Sequence, residues 1–381
     1  MKLVVLGLSI TSSWGNGHAT TYRGLVRELV KRNHDVLFLE REQPWYAANR
    51  DLPRPPFGRT EIYQTIRELK RRFSAEIAAA DAVIVGSYVP DGVEIGEWVT
   101  DIAEDVTGFY DIDTPVTLSR LLHQRCDYLT AELIRRYDLY LSFTGGPTLQ
   151  TLEQNYGSAM ARALYCSVDP ATHYPESQRR KWLLGYLGTF SEDREKSLNE
   201  FLVRPAQECA SKRFVVAGPM YPKSVRWPQN VERITHLNPS EHRAFYNSQR
   251  FTLNITRAAM IEAGYSPSVR LFEAAACATP IISDDWPGLD TLLTPDKEIL
   301  VARTTDDVLR FLRDLPEGRA RVIGELARER VLAEHTAAHR AAELERFVDE
   351  ARIVKRKQRT RRLSGVKQMA QRAEITTAIC S

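Results

Sequence analysis

Short apolar runs alternating with helical stretches constrain this chain more than any single motif does. Leu3 to Leu8 is an apolar strand, Ala19 to Lys31 a helix with Leu25, Leu29 and Val30 directed inward, and Val36 to Leu39 the next strand. A strand, loop, helix and second strand in that order open an α/β domain. Strands are then expected at Ala82–Gly86, Thr107–Ile112, Leu139–Phe143 and Ala163–Cys166, and helices over Glu61–Ala80, Gly92–Thr100, Thr117–Leu122 and Thr130–Arg136. Residues 41–60, rich in proline, aromatics and arginine, read as an irregular excursion, and long loops of that kind are often functional.

The alternation starts afresh further on. Leu183–Leu187, Phe214–Ala217, Val231–Leu237, Phe251–Ile255, Pro280–Ile282 and Glu298–Ala302 are expected strands. Helices are expected at Lys196–Leu202, from Ser240 to Ser248, after Ser266, at Thr305–Leu315 and Glu317–His335, and in the regular pattern from Ala337 to Val354. A length of 381 residues exceeds what one compact core usually holds, so two domains are expected.

With 43% hydrophobic and 27% charged residues the chain reads as globular, and no apolar run approaches the length of a membrane span. The opening MKLVVLGLSI is too short and too lightly charged for a secretory signal and reads as a buried strand. Five cysteines, widely spaced and without a C-x-x-C pair, favour a reducing cytoplasm over a disulfide framework or a structural zinc. Residues 351–373 hold nine basic side chains and no acid, which leaves 43 basic against 49 acidic elsewhere. A solvated helix accounts for such a run, and peripheral contact with an anionic membrane is the alternative; nucleic acid is not an expected partner.

The stretch Tyr265 to Asp290 carries the clearest chemistry. Ser266 is a good helix N-cap with Pro267 in the first position, and a polar loop opening a helix presents free N–H groups that can hold a phosphate. Arg270 and Glu273 follow at helical spacing along one line, placed for a diphosphate and a sugar hydroxyl; a surface ion pair is the bland alternative. In the first half, Ser9 to His18 contains W-G-N-G-H at the carboxyl end of the first strand, where open α/β sheets place ligands. A dinucleotide fingerprint would want glycine where Thr20 stands, and Glu40 supports it only weakly.

S-x-R-L-F-E-A-A-A-C-A-T-P-I-I-S followed by P-G-L-D resembles the donor-binding segment of group 1 glycosyltransferases, whose fold is called GT-B. Ala278 stands where that family usually has glycine, and Tyr265 where it often has a first Glu. W-G-N-G-H-A-T-T-Y and F-Y-D-I-D-T-P look similar to the spore-maturation-protein branch of the family, and V-D-P-A-T-H-Y-P resembles the V-D-x-x-x-[YF]-x-P segment that closes its first domain. The resemblance implies two Rossmann-like domains facing across a cleft, with final helices that commonly cross back to the first domain. The acceptor domain is expected at 1–178, the donor domain at 179–340, and a helix with a basic tail at 341–381.

It also implies site roles. Glu273 would hold the donor ribose, with Tyr265, Ser266, Ser268, Val269 and Arg270 around it. Thr189, Arg194 and Arg257 would face the diphosphate, and His236 and Leu237 the base. Gly15, Asn16 and Gly17 would line the cleft, with His18 as a base or an orienting group. From the residues themselves, Asp111 or Asp113 reads as a cleft residue contacting the acceptor, with helix or turn capping as the alternative, and Trp45 and Tyr46 as candidates to stack on a sugar or glycan, with packing onto their own domain as the alternative. Asp-x-Asp binds metal in the other major transferase fold, so here no metal ligands are expected, and no tightly bound cofactor beyond the nucleoside-diphosphate sugar consumed as co-substrate. The expected activity is sugar transfer to an unidentified small-molecule, glycan or protein acceptor, metal-independent and leaning towards retention of configuration. A nucleotide-sugar epimerase of the same fold and a non-catalytic sugar-nucleotide or glycan binder remain alternatives.

Overall fold

The computed structural model describes residues 1–14 and 17–357. The first sheet comprises β1 (Lys2–Gly7), β2 (Asp35–Arg41), β3 (Arg59–Tyr63), β4 (Ala82–Gly86), β5 (Val106–Asp111), β6 (Leu139–Ser142) and β7 (Ala161–Ala163). The second comprises β8 (Trp182–Leu187), β9 (Phe214–Ala217), β10 (Val231–Ile234), β11 (Gln249–Asn254), β12 (Ile281–Ser283) and β13 (Leu300–Val301). Strand order is β3-β2-β1-β4-β5-β6-β7 in one and β10-β9-β8-β11-β12-β13 in the other, and all pairs are parallel. Near-continuous apolar strands such as β4 (AVIVG) and β9 (FVVA) are buried along their whole length, as a sheet covered by helices on both faces requires. In each sheet the order reverses beside the first strand, between β1 and β4 and between β8 and β11. Those reversals are where strand ends splay and ligands fit.

Several local expectations are corrected. Glu61–Ala80 is not one helix: β3 pairs with β2, and the helix Ile66–Ala78 begins only at Thr65, whose hydroxyl accepts from the Glu68 N–H at 3.2 Å. The β-favouring run Thr60, Ile62, Tyr63 is satisfied by the sheet before the cap takes over. Lys196–Leu202 belongs to a longer helical stretch that begins at Glu192 and passes through a π-helical turn, Asn199–Val203, just ahead of Pro205. Proline cannot donate the next helical bond, which accounts for the widened turn.

The helix expected from Ser266 starts at Val269 with Ser268 as its N-cap residue. Tyr265 sits in the left-handed region at φ 49, and the Ser266 hydroxyl hydrogen-bonds Thr144 of the first domain at 2.9 Å. The segment 264–267 is therefore docked against the neighbouring domain and cannot enter the helix.

Two chain crossings join the halves. Val168 pairs with Thr336, through Val168 N–H to the His335 carbonyl (3.2 Å) and Ala337 N–H to the Val168 carbonyl (2.9 Å). Residues 337–357 then form a helix that returns to the first domain. Its Glu345 meets Arg32 and His34, Glu350 meets Arg162 at 3.1 Å, Arg352 meets Asp105 at 2.8 Å and Lys355 meets Asp138 at 2.9 Å. Arg352 and Lys355 are thus engaged in a clasp within the molecule. The basic residues from 359 on lie outside the described residues. No helix among the described residues is long and apolar enough to cross a membrane.

Candidate active site

The loop after β1 is held from beneath by a carboxylate. Glu40, fully buried at the end of β2, accepts from the Ile10 and Thr11 N–H groups (2.7 and 3.0 Å) and from the Ser9 and Thr11 hydroxyls (3.1 and 2.7 Å). Arg23 adds a bond to the Ile10 carbonyl at 2.8 Å and a two-pronged pair with Asp51. So fixed, the loop carries Gly17 and His18 to the mouth of the interdomain cleft; Gly15 and Asn16 lie outside the described residues. The His18 ring packs edge-on against Phe143 at 5.8 Å, and burial lowers its pKa to about 4.

In the second domain, the loop after β8 and the helix Val269–Ala276 form the opposing wall. Arg194 donates to the Thr189 carbonyl at 2.6 Å, while its Nε is buried without a partner. Ser268 donates to Asn254 at 2.9 Å and does not cap its own helix, so the first-turn N–H groups have no side-chain cap. Arg270 and Glu273 are not a surface pair: they are 8% and 3% exposed and turn to different partners. The Arg270 guanidinium lies over Tyr186 and donates to the Leu187 carbonyl and to Asn254 (2.8 Å), tying the ends of β8 and β11 together. Glu273 accepts from the Tyr246 hydroxyl at 3.1 Å.

Two adjoining cavities open between these walls. The first, about 260 Å³, is lined by Gly17, Thr189, Arg194, His236, Leu237, Ser268, Val269, Arg270 and Glu273. The second, about 230 Å³, is lined by His18, Asp113, Arg257 and Ser266, and shares Gly17, Arg194, Ser268 and Val269 with the first. Most of the residues singled out in the sequence thus meet in one cleft, although they come from both domains.

Asp111 lines neither cavity. It is 0% exposed, accepts from Tyr140 (2.6 Å), Thr117 (2.9 Å) and the Asp113 N–H (3.2 Å), and burial raises its pKa to about 6 against those bonds. Through the Asp113 N–H it holds the backbone that presents Asp113 to the second cavity. Tyr265 is also outside both cavities. A Cβ on Gly146 or Gly288 would fall 2.3 and 2.4 Å from its ring, so Tyr265 is a wedge between a turn of each domain. Both glycines have positive φ, 57 and 89, which only glycine adopts at little cost.

Residues 194–346 match the model of a family described as glycosyl transferase-like. No curated protein matches the chain at the level of sequence. Among solved structures, sucrose-phosphate synthase from Thermosynechococcus elongatus is 14% identical, with TM-score 0.68 over 92% of this chain and 98% of that one. The HepE protein of Anabaena in complex with UDP-glucose is 10% identical, with TM-score 0.69 over 92% and 100%. An α-glucosyltransferase in complex with UDP and a 13-mer DNA is 13% identical, with TM-score 0.67 over 92% and 99%. The fold is GT-B.

Within this GT-B cleft the charges are unevenly matched. Asp113 accepts from Tyr88 at 2.8 Å and faces Arg257 at 3.5 Å; burial raises its pKa, with both partners pulling the other way. Arg257 also meets Asp193 at 3.6 Å, so two carboxylates already offset its charge; the Nε of Arg257 and that of Arg194 are both buried without a hydrogen-bond partner. Burial alone would push Glu273 up, but His173, His242 and Tyr246 outweigh it and hold the carboxyl at about 2. Burial pushes the His173 pKa down, with the Glu273 carboxylate pulling the other way.

The sequence reading missed His242, Tyr246 and His173. His242 and Tyr246 stand four apart on the helix Pro239–Asn247 and so share a face, a signal that was available. His173 occupies the aromatic position of the V-D-x-x-x-[YF]-x-P pattern, and only its meeting with Glu273 makes it notable.

Proposed function

We propose that this protein is a glycosyltransferase that moves a sugar, a hexose in the first instance, from a UDP-sugar donor in the first cavity to an acceptor in the second. The observation that carries the reading is Arg194: it borders both cavities with a buried, unpartnered Nε, between Glu273 on one side and His18 and Asp113 on the other. As the sugar–phosphate bond breaks, negative charge grows on the diphosphate. A guanidinium fork beside the uncapped start of Val269–Ala276 stabilises that charge without a metal ion at the phosphates. The base end of the donor would lie against His236 and Leu237, and the ribose hydroxyls would donate to Glu273.

The acceptor hydroxyl would approach from the first domain. A histidine with its pKa near 4 is a weak proton acceptor at neutral pH, so His18 suits orientation of a hydroxyl more than general-base inversion. That favours retention of anomeric configuration, with the departing diphosphate oxygen taking the proton. The match of residues 194–346 to a transferase-like family supports the same class.

Incubation with a panel of UDP-sugars and candidate acceptors tests the reading. Release of UDP that depends on an acceptor supports transfer. Conversion of the sugar nucleotide alone would mark an epimerase, and binding without turnover a non-catalytic receptor. Glu273→Ala is expected to weaken UDP binding about thirtyfold, about 2 kcal/mol and within the range for one hydrogen bond to a charged group; unchanged UDP affinity would sink the ribose assignment.

A further inference from the structure

Behind the Glu273 wall of the first cavity lies a grouping that neither the fold nor the transfer reading requires. Glu273 is faced by two imidazoles from separate elements, His173 on the segment between the domains and His242 on the helix Pro239–Asn247. His173 Nε2 is 3.8 Å from one carboxylate oxygen and His242 Nδ1 3.4 Å from the other, and both ring nitrogens are buried without a hydrogen-bond partner. The three ligand atoms lie within 4.8 Å of one another.

The arrangement leaves buried polar atoms short of partners. The Thr172 hydroxyl lies 3.0 Å from His173 Nδ1, which leaves Nε2 as the nitrogen facing the carboxylate. A proton on Nε2 would not close the gap, because 3.8 Å is beyond hydrogen-bond reach. An electropositive centre between the three groups would give the carboxylate and both imidazoles a partner.

We propose that His173 Nε2, His242 Nδ1 and Glu273 form a binding site for a divalent transition ion of the Zn(II) class, which competes with the nucleotide donor for Glu273. Two imidazoles and one carboxylate are a borderline-soft donor set, suited to Zn(II) or Co(II) and poorly suited to Mg(II). Metal–ligand bonds of about 2.0–2.2 Å would draw the three groups inward by roughly an ångström, within reach of side-chain rotation. The outer contacts are those that orient metal ligands: Thr172 on the far nitrogen of His173, and the Tyr246 hydroxyl on the carboxylate. The remaining coordination positions face the cavity, since His242, Tyr246 and Glu273 all line it. The competition rests on the proposed ribose contact: a carboxylate bound to a metal cannot accept both ribose hydroxyls. The ion would occupy the donor-free protein and would take no part in departure of the diphosphate.

The test is Co(II) titration of the chelator-treated full chain, followed by visible ligand-field absorption. One equivalent of Co(II) should give intense bands of low coordination number, displaced by Zn(II) and not by excess Mg(II). His173→Ala and His242→Ala should each weaken binding at least about tenfold. Proton NMR of the wild-type Co(II) complex should show hyperfine-shifted signals from two imidazoles, a readout that needs no variant. Absence of the bands, equal competition by Mg(II), or signals from fewer than two histidines would overturn the site. UDP should displace the metal; an unchanged or tighter metal affinity in its presence would overturn the competition. UDP binding to metal-free wild type is measured separately, so failure of the donor reading is told apart from failure of the metal site.

Discussion

Two buried glutamates, one in each domain, show what separates scaffold from site in this molecule. Glu40 and Glu273 are both almost fully withdrawn from solvent. Glu40 receives four hydrogen bonds from the loop it supports, two from backbone N–H groups and two from hydroxyls. Glu273 receives one clear bond, from Tyr246, and faces two histidines at 3.4 and 3.8 Å. A carboxylate whose lone pairs are filled by its own chain has no capacity for a ligand. One left short of donors at a cavity wall is open to ribose hydroxyls or a cation.

Replacement of Glu40 should have the largest effect. Glu40→Gln places an amide NH₂ against groups that are all donors, and the expected loss of stability is about 3–4 kcal/mol, read as a lowered midpoint in denaturant unfolding. An unchanged midpoint would mean that Glu40 is not the support its bonds describe. Arg194→Ala should leave the midpoint within about 0.5 kcal/mol and lower the transfer rate about 100-fold, as removal of a donor to a developing oxyanion does elsewhere. If unfolding shifts and turnover does not, the contrast between the two regions fails.

Glu273→Gln sharpens the same contrast at smaller scale. An amide still accepts one hydrogen bond, so UDP affinity should fall about tenfold. The smallest effect belongs to His18. Its folded pKa, about 4, lies below the unfolded value near 6.5, so the unfolded chain binds the extra proton between those limits and stability falls as pH drops from about 6.5 towards 4. His18→Asn should flatten that limb of the stability–pH curve and leave the region above pH 7 unchanged. For Glu273 the sign is opposite in origin: with the folded value held down at about 2, its contribution is present above the unfolded carboxyl pKa and disappears as pH falls from about 4.5 towards 2. Glu273→Gln should remove that acid limb.

The fold was legible because its signals are local. Apolar runs such as Leu3–Leu6 and Phe214–Ala217 can be satisfied only as buried parallel strands, and they recur in two series. The errors fell where two local signals compete, as at Glu61–Ala80, where the β-favouring residues before Thr65 won the pairing with β2. The site was legible in its outline: Arg194, His236, Ser268 and Glu273 do share a cavity. Asp111 and Asp113 show the limit. Two residues apart on one motif, they end at opposite fates, one closed over by Tyr140 and Thr117 and the other facing the cleft.

The sequence alone determined the alternation of strands and helices and the two series that become two sheets, because both depend on periodicity within a few residues. Tertiary structure decided which polar groups were left wanting partners. The wedge of Tyr265 between Gly146 and Gly288, the clasp of Arg352 and Lys355 on the first domain, and the meeting of His173 and His242 at Glu273 arise only when distant segments are brought together by the crossings at Val168 and Thr336. Whether a buried charge is satisfied depends on every neighbour that packing supplies, and no local pattern in the chain encodes that sum.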